Sequence, residues 1–318
     1  MFKARWVAPT LRELKRRKEI ETKLNHGPIV EPRSSFLEWN YNAELYAFGR
    51  RLNEQFDDKL LRQALIHKSY VDQELERLKK LNMENTLMLE TNDALATEGE
   101  TLLRTTLLGY LRGNLPKFPE EGIQAVCNHL CSTEVLSSIG HDLGLKELMF
   151  CAEYPPEKET FSKSLKSVIA ALNQSSGEDR ARGFIYDFIA THLYEANLSE
   201  IWNPANPMNI LQEIFKGKEL EARLMRQNGV NSILAVYQVG IYCDKQFIGS
   251  SFGETIDAAQ DLAARNALER LFNVFDTTVL KHGRQLAAFQ DEYKKAEERP
   301  NTKLTDWSFA KVSNVVNV

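Results

Sequence analysis

The stretch LATEGETLLRTTLLGYL, residues 95–111, decides the first half of the fold. Leu95, Leu103, Leu107 and Leu111 fall four or eight residues apart, with Leu102 beside them, so on a helix they share one face. Leu60, Leu61, Ala64 and Leu65 form a second such face upstream. Downstream, Phe184, Ile185, Phe188, Ile189 and Leu193 form a third, within a helix expected from Gly183 to Ala196. No convincing alternation interrupts the helical pattern between Trp39 and Ala196. Asn203-Pro204 and Asn206-Pro207 then mark a boundary, because proline opens a helix well and interrupts one badly.

Beyond that boundary the period changes. Ile210, Leu211 and Ile214 suit a short helix, whereas Ile233, Tyr237, Val239, Ile241 and Cys243 lie on one side of a period-2 run. Asp244-Lys245 can turn the chain into a second strand, Gln246 to Ser251, and Thr255 can cap a last helix. On that helix Ala259, Ala263, Ala267 and Leu271 step by four along one face. The expectation is an all-α domain over residues 39–202, then a small α+β domain over 203–275, in the order helix, three strands, helix. Residues 1–38 read as a basic arm, and 276–318 as an extended polar tail.

Composition narrows the class. With 318 residues, 43% of them apolar, the chain is long enough for two cores. No run approaches the roughly 18 apolar residues of a membrane span, and the 16 Gly and 10 Pro are too few for low-complexity disorder. The four cysteines are too sparse for a disulfide scaffold and point to a reducing compartment. The net charge of -4 hides an asymmetry. Lys3, Arg5, Arg12, Lys15, Arg16, Arg17, Lys18, Lys23 and Arg33 outweigh four acids before residue 34, leaving the rest of the chain acidic. A basic arm on an acidic body suits a protein whose arm meets a polyanion; a solvated helical face around Leu11 to Lys15 is the plainer reading. Met1 to Arg12, basic and free of acids, also looks like part of an organelle-targeting segment.

Phe56 to Tyr70, with its Leu60-Leu61 pair and Ala64-Leu65-Ile66-His67-Lys68-Ser69, resembles the opening of a ribonuclease III domain. Asn206 to Phe272 resembles a double-stranded-RNA-binding domain, through Asn206 to Glu213, Gly249 to Gly253 and Ala263 to Leu271. Ala47 to Leu52, Leu172 to Gly177, Arg223 to Gly229 and Gly240 to Lys245 are similar to the versions in one family of mitochondrial large-ribosomal-subunit proteins. That resemblance implies a mitochondrial ribosomal component. Its partners would be mitochondrial ribosomal RNA, other large-subunit proteins and a second ribonuclease III-like protein meeting the Leu102, Leu103 and Leu107 face; alternatively, that face is core.

Ribonuclease III enzymes hold divalent metal with four carboxylates, two on each of two helices. Aligning on Gly99, the first pair of positions holds Ala96 and Glu100; the second pair holds Lys163 and Lys166. The charge there changes from -4 to +1, which repels a divalent cation. No Asp or Glu lies between Thr160 and Gly177 to compensate, and Glu98 at i,i+2 faces elsewhere. The expectation is a non-enzymatic scaffold with no cofactor and no metal. The RNA-binding module is similarly altered: where the family has lysines at the start of its last helix, this chain has Ile256, Asp257 and Gln260. Its minor-groove loop becomes Gly229 to Ser232. Residual RNA binding falls to Arg223, Arg226 and Lys245, and the arm residues from Lys3 to Lys18 are the main RNA-binding candidates. Two rival readings are a divalent-metal-dependent endonuclease for structured RNA and a free RNA-binding regulator. Cys127-Asn128-His129-Leu130-Cys131 invites a metal reading, but His129 lies off the cysteines' face, so a pair of buried thiols is favoured. His67 is expected inside the opening helix, as a packing residue in preference to a catalytic one.

Overall fold

The computed structural model describes residues 7–24, 33–36, 38–82, 89–194, 196–229, 232, 234–275, 280–281, 283, 286 and 289–308. An amphiphilic helix, α1 (Val7–Leu24), precedes the helical domain, with Leu11 and Leu14 exposed. The domain itself runs through α2 (Tyr41–Leu52), α3 (Asp58–Ala64), α4 (Lys68–Lys80), α5 (Asp93–Asn114), α6 (Glu120–Leu130), α7 (Thr133–Asp142), α8 (Lys158–Ser176) and α9 (Glu178–Phe184). Side-chain caps set several of these starts. The Asn40 oxygen accepts from Ala43 N–H, Asp57 from Lys59 N–H and Ser132 from Val135 N–H. Asn53, in the left-handed region at φ 55°, ends α2.

Helix α8 is the axle. Phe161, Leu165, Val168, Ile169, Ala171 and Leu172 are buried among α3, α5, α7 and α9. Leu103, Leu107 and Leu111 of α5 are fully buried in that core, and Leu102 packs against its edge. The face expected as a possible partner surface is therefore core at Leu103 and Leu107. The outward face of α5 carries Thr97, Glu98, Thr101, Arg104 and Thr105. The helix expected from Gly183 to Ala196 is broken: after α9 comes a π turn, Ile185–Ile189, then a 3-10 stretch, Ala190–Tyr194. Across the break Phe184, Ile185, Ile189 and Leu193 remain buried.

After a short helix, α10 (Leu198–Ile201), the second domain comprises α11 (Pro207–Ile214), β1 (Leu220–Asn228), β2 (Val236–Cys243), β3 (Gln246–Gly253) and α12 (Ile256–Phe272). The strands form an antiparallel meander, β1-β2-β3, with Ala222 opposite Ile241 and Ile241 opposite Gly249. Val239, Ile241 and Cys243 are buried under α12, whose Ala259, Ala263, Ala267 and Leu271 form the contact face. Thr255 caps α12 by accepting from Ala258 N–H at 3.2 Å. Ile233 lies outside the described residues.

The extended tail is not what forms. Residues 290–308 fold back on the helical domain, beginning with α13 (Gln290–Glu297) on α5. Tyr293 is 1% exposed, and its ring rests on Gly113, where a Cβ would come within 2.4 Å of it. The buried Arg112 guanidinium donates to the Glu297 carbonyl at 2.6 Å and pairs with Glu120 at 2.6 Å. Arg182 pairs with Glu297, Lys294 with Asp179 at 2.8 Å, and Asn301 Nδ2 donates to the carbonyls of Leu115 and Phe118 at 2.8 Å. The charges that read as solvated tail thus find partners far away in sequence. Trp307 then stacks edge-on with Phe272 of α12, which meets Trp202, which meets Phe118. This aromatic chain joins the two domains.

Candidate functional site

The site begins with a glycine. A Cβ on Gly99 would lie 1.9 Å from the Lys166 carbonyl oxygen, so α5 and α8 can cross this closely only with glycine here. The crossing brings together the four positions aligned from sequence. Ala96 is buried on α5, and Glu100 Oε2 meets Lys166 Nζ at 3.2 Å. Lys163 Nζ pairs with Asp93. Two ammonium groups from α8 therefore sit against two carboxylates from α5.

Asp93 escaped the sequence reading. It lies three residues before Ala96 and seven before Glu100, spacings that put all three on one helix face, and this was the available signal. Its presence makes the four-charge cluster neutral, where Glu100, Lys163 and Lys166 alone gave +1. The Lys163 ammonium, with the Thr91 hydroxyl, holds the Asp93 carboxyl below its ordinary range. Glu98 turns away to the end of α8, accepting from Gln174 at 2.7 Å and Asn173 at 3.3 Å.

His67 stands beside this cluster, not inside a helix. It is the N-cap of α4: its ring nitrogen accepts from Ser69 N–H at 3.3 Å and meets the Ser69 hydroxyl at 2.8 Å. Burial lowers its pKa, and the nearby Lys163 lowers it further, against Asp93 and Asp72. Ser69 Oγ in turn accepts from Ala152 N–H at 3.2 Å. The imidazole is thus committed to structure as a neutral cap.

The RNA-binding candidates occupy three separate places. Arg12, Lys15, Arg16 and Arg17 are exposed on α1, where Glu13 pairs with Arg17 at 3.4 Å and Arg16 at 3.8 Å. Lys3 and Arg5, like the Lys18 side chain, lie outside the described residues. Arg223 and Arg226 are exposed on β1; Arg223 pairs with Glu221 and covers the Tyr242 ring at 5.2 Å. Lys245 sits in the β2–β3 turn at φ 68°, at the Leu220 end of β1. At the start of α12, Ile256 and Asp257 face solvent. In the Gly229–Ser232 loop, residues 230 and 231 lie outside the described residues. Among the described residues no three His, Cys, Asp or Glu side chains converge as a metal-holding group, and no helix is long and apolar enough to cross a membrane.

A helical core crossing at a glycine, followed by a three-stranded meander packed on α12, which α11 also meets, defines a ribonuclease III-like protein with an attached double-stranded-RNA-binding-like domain. Residues 40–172 match the family model of the large ribosomal subunit protein mL44 endonuclease domain, and residues 202–308 match that of the MRPL44 dsRNA-binding domain. The second match runs past residue 275 and takes in α13. The large ribosomal subunit protein mL44 of Caenorhabditis elegans is 31% identical over 297 residues, covering 90% of this chain and 73% of that protein. The chain belongs to the mL44 family of large ribosomal subunit proteins. Ribonuclease 3 of Latilactobacillus sakei is 22% identical over 218 residues, covering 67% of this chain and 90% of that one. The nuclease domain of ribonuclease III from Campylobacter jejuni is 20% identical, with a TM-score of 0.38, over 45% of this chain and 94% of that domain.

Proposed function

We propose that this chain is a non-catalytic structural component of the mitochondrial large ribosomal subunit, residing in the matrix with the ribosome. The observation that carries the reading is the α5–α8 crossing in a member of the mL44 family. There Lys163 and Lys166 occupy the positions where a ribonuclease III presents carboxylates, each already paired with an acid of α5. A divalent-metal centre needs hard anionic oxygen donors converging on one point. Two ammonium groups among two carboxylates do not fit it.

On this reading the arm, residues 1–38, lies along ribosomal RNA through Lys3, Arg5, Arg12, Lys15, Arg16, Arg17 and Lys18. The body, residues 39–275, packs against neighbouring ribosomal proteins, with residues 276–318 following it. Arg223, Arg226 and Lys245 supply secondary RNA contacts, too dispersed for one groove. A second nuclease-like protein docking on α5 would meet its polar face at Thr97, Thr101, Arg104 and Thr105, not the leucines.

Sucrose-gradient sedimentation of a mitochondrial lysate tests the reading. The protein should travel with large-subunit RNA at moderate salt, and replacing Arg12, Lys15, Arg16 and Arg17 by Ala should lower the salt at which it is released. Each phosphate left without its cation reduces the log–log salt slope by roughly 0.7–0.9. Sedimentation at the top of the gradient would refute the structural role. Mg²⁺-dependent cleavage of structured RNA that vanishes in Glu100→Ala would establish the endonuclease instead.

A further inference from the structure

The pair Cys127 and Cys131 stands apart from the other two cysteines. Both belong to the end of α6, four residues apart on one face, and Cys131 is the residue that terminates the helix. Four residues of helix advance about 6 Å, inside the Cα separation that a disulfide spans. Cys127 is completely buried and Cys131 half-buried, and both are free thiols. The Cys127 thiol donates to the Arg104 carbonyl oxygen at 4.0 Å. Proton sharing between the two sulfurs raises the pKa of the buried Cys127 and lowers that of the outer Cys131.

The surroundings reinforce that division. After the hydrogen bond from Cys127, the Arg104 guanidinium of α5 and the Lys166 ammonium of α8 favour a Cys131 thiolate, against burial and the Glu100 carboxylate. Cys127 is pushed the other way, first by the shared proton and then by burial, with Arg104 and Arg112 opposing. Cys151 and Cys243 provide internal controls, because burial raises both thiols.

We propose that Cys131 is a peroxide-reactive thiol and Cys127 its resolving partner, forming a dithiol site for reversible oxidation. The Cys131 thiolate attacks one oxygen of hydrogen peroxide: an S–O bond forms, the O–O bond breaks, and the departing hydroxide takes up a proton as water. The Cys127 sulfur then attacks the Cys131 sulfur as its proton leaves with the hydroxyl, giving a disulfide and a second water. The dithiol loses two electrons and the peroxide gains them. Cys131 caps α6, so moving it toward Cys127 costs its N–H bonds to the Cys127 carbonyl, at 2.9 Å, and to the His129 carbonyl.

Limiting hydrogen peroxide on the full chain, followed by alkylation and peptide mass spectrometry, tests this. The expected product is a single 127–131 disulfide, reversed by dithiothreitol, with Cys151 and Cys243 still alkylated. Without peroxide, iodoacetamide should modify Cys131 about tenfold faster than Cys151 at neutral pH, and Arg104→Gln should narrow that gap. In Cys127→Ser, peroxide should leave a sulfenic acid on Cys131 that dimedone traps. Oxidation of Cys151 or Cys243 at an equal rate, or no dimedone adduct on Cys131 in folded Cys127→Ser, would overturn the proposal. The iodoacetamide comparison uses the unmutated chain, so a variant that fails to fold leaves the test intact.

Discussion

Helix α5 is approached closely twice, once at Gly99 by α8 and once at Gly113 by α13, and the two crossings differ in where their charges lie. Around Gly99 the pairs Lys166–Glu100 and Lys163–Asp93 stand at the rim, with the carboxylate side chains about half exposed. Around Gly113 the Arg112–Glu120 pair is almost wholly buried, and Arg182 beneath Glu297 is nearly so. Rim pairs contribute little net stability because water screens them. Buried pairs cannot lose one partner without stranding the other in a poor solvent. The first crossing is therefore held by backbone proximity and apolar packing, and the second by an interlocked set of polar bonds.

The widest test of that contrast is Gly99→Val. A side chain 1.9 Å from the Lys166 carbonyl forces the helices apart, so the loss should exceed about 4 kcal/mol and the chain should fail to unfold cooperatively in a thermal melt. Arg112→Ala should come next, at about 3–5 kcal/mol in denaturant unfolding, because Glu120 keeps its burial and loses its cation. Tyr293→Ala should cost about 3 kcal/mol by the same measurement, by emptying the space over Gly113. Lys166→Ala should change stability by no more than about 1 kcal/mol; a larger loss would show that the rim pairs matter as much as the buried ones.

The smallest effect is a pH slope. With the folded-state pKa of His67 below its ordinary 6.5, the unfolded chain binds the extra proton first. Its contribution is complete above that ordinary value and is lost as pH falls through the lowered one. His67→Asn, which can still cap α4, should remove that portion of the slope in denaturant midpoints measured from pH 8 to pH 5.

The same contrast explains what could be read from sequence. The leucine spacing of α5, the alternation of Tyr237, Val239, Ile241 and Cys243, and the alanine steps of α12 are local patterns, and each maps to a buried face. Helix α13 has Tyr293 as its one buried residue among Gln290 to Glu297. It therefore carries no periodic signal; its stability comes from Arg112, Arg182 and Asp179, more than a hundred positions earlier. The site was legible wherever a residue aligned with a known pattern, as Ala96, Glu100, Lys163 and Lys166 did. Asp93 lay outside that pattern, and only the crossing of α5 and α8 revealed that it pairs with Lys163.

The docking of α13 also sets an order of assembly. The bond from Arg112 to the Glu297 carbonyl spans 185 residues, so a chain emerging from its N-terminal side must wait for most of its length before Tyr110, Arg112 and Gly113 are covered. During that interval the α5 groove is an exposed apolar slot beside a guanidinium that has Glu120 but lacks its two carbonyl acceptors, Ala296 and Glu297, the kind of transiently open surface that favours aggregation. A reading-frame error anywhere between α5 and residue 290 would leave that slot open.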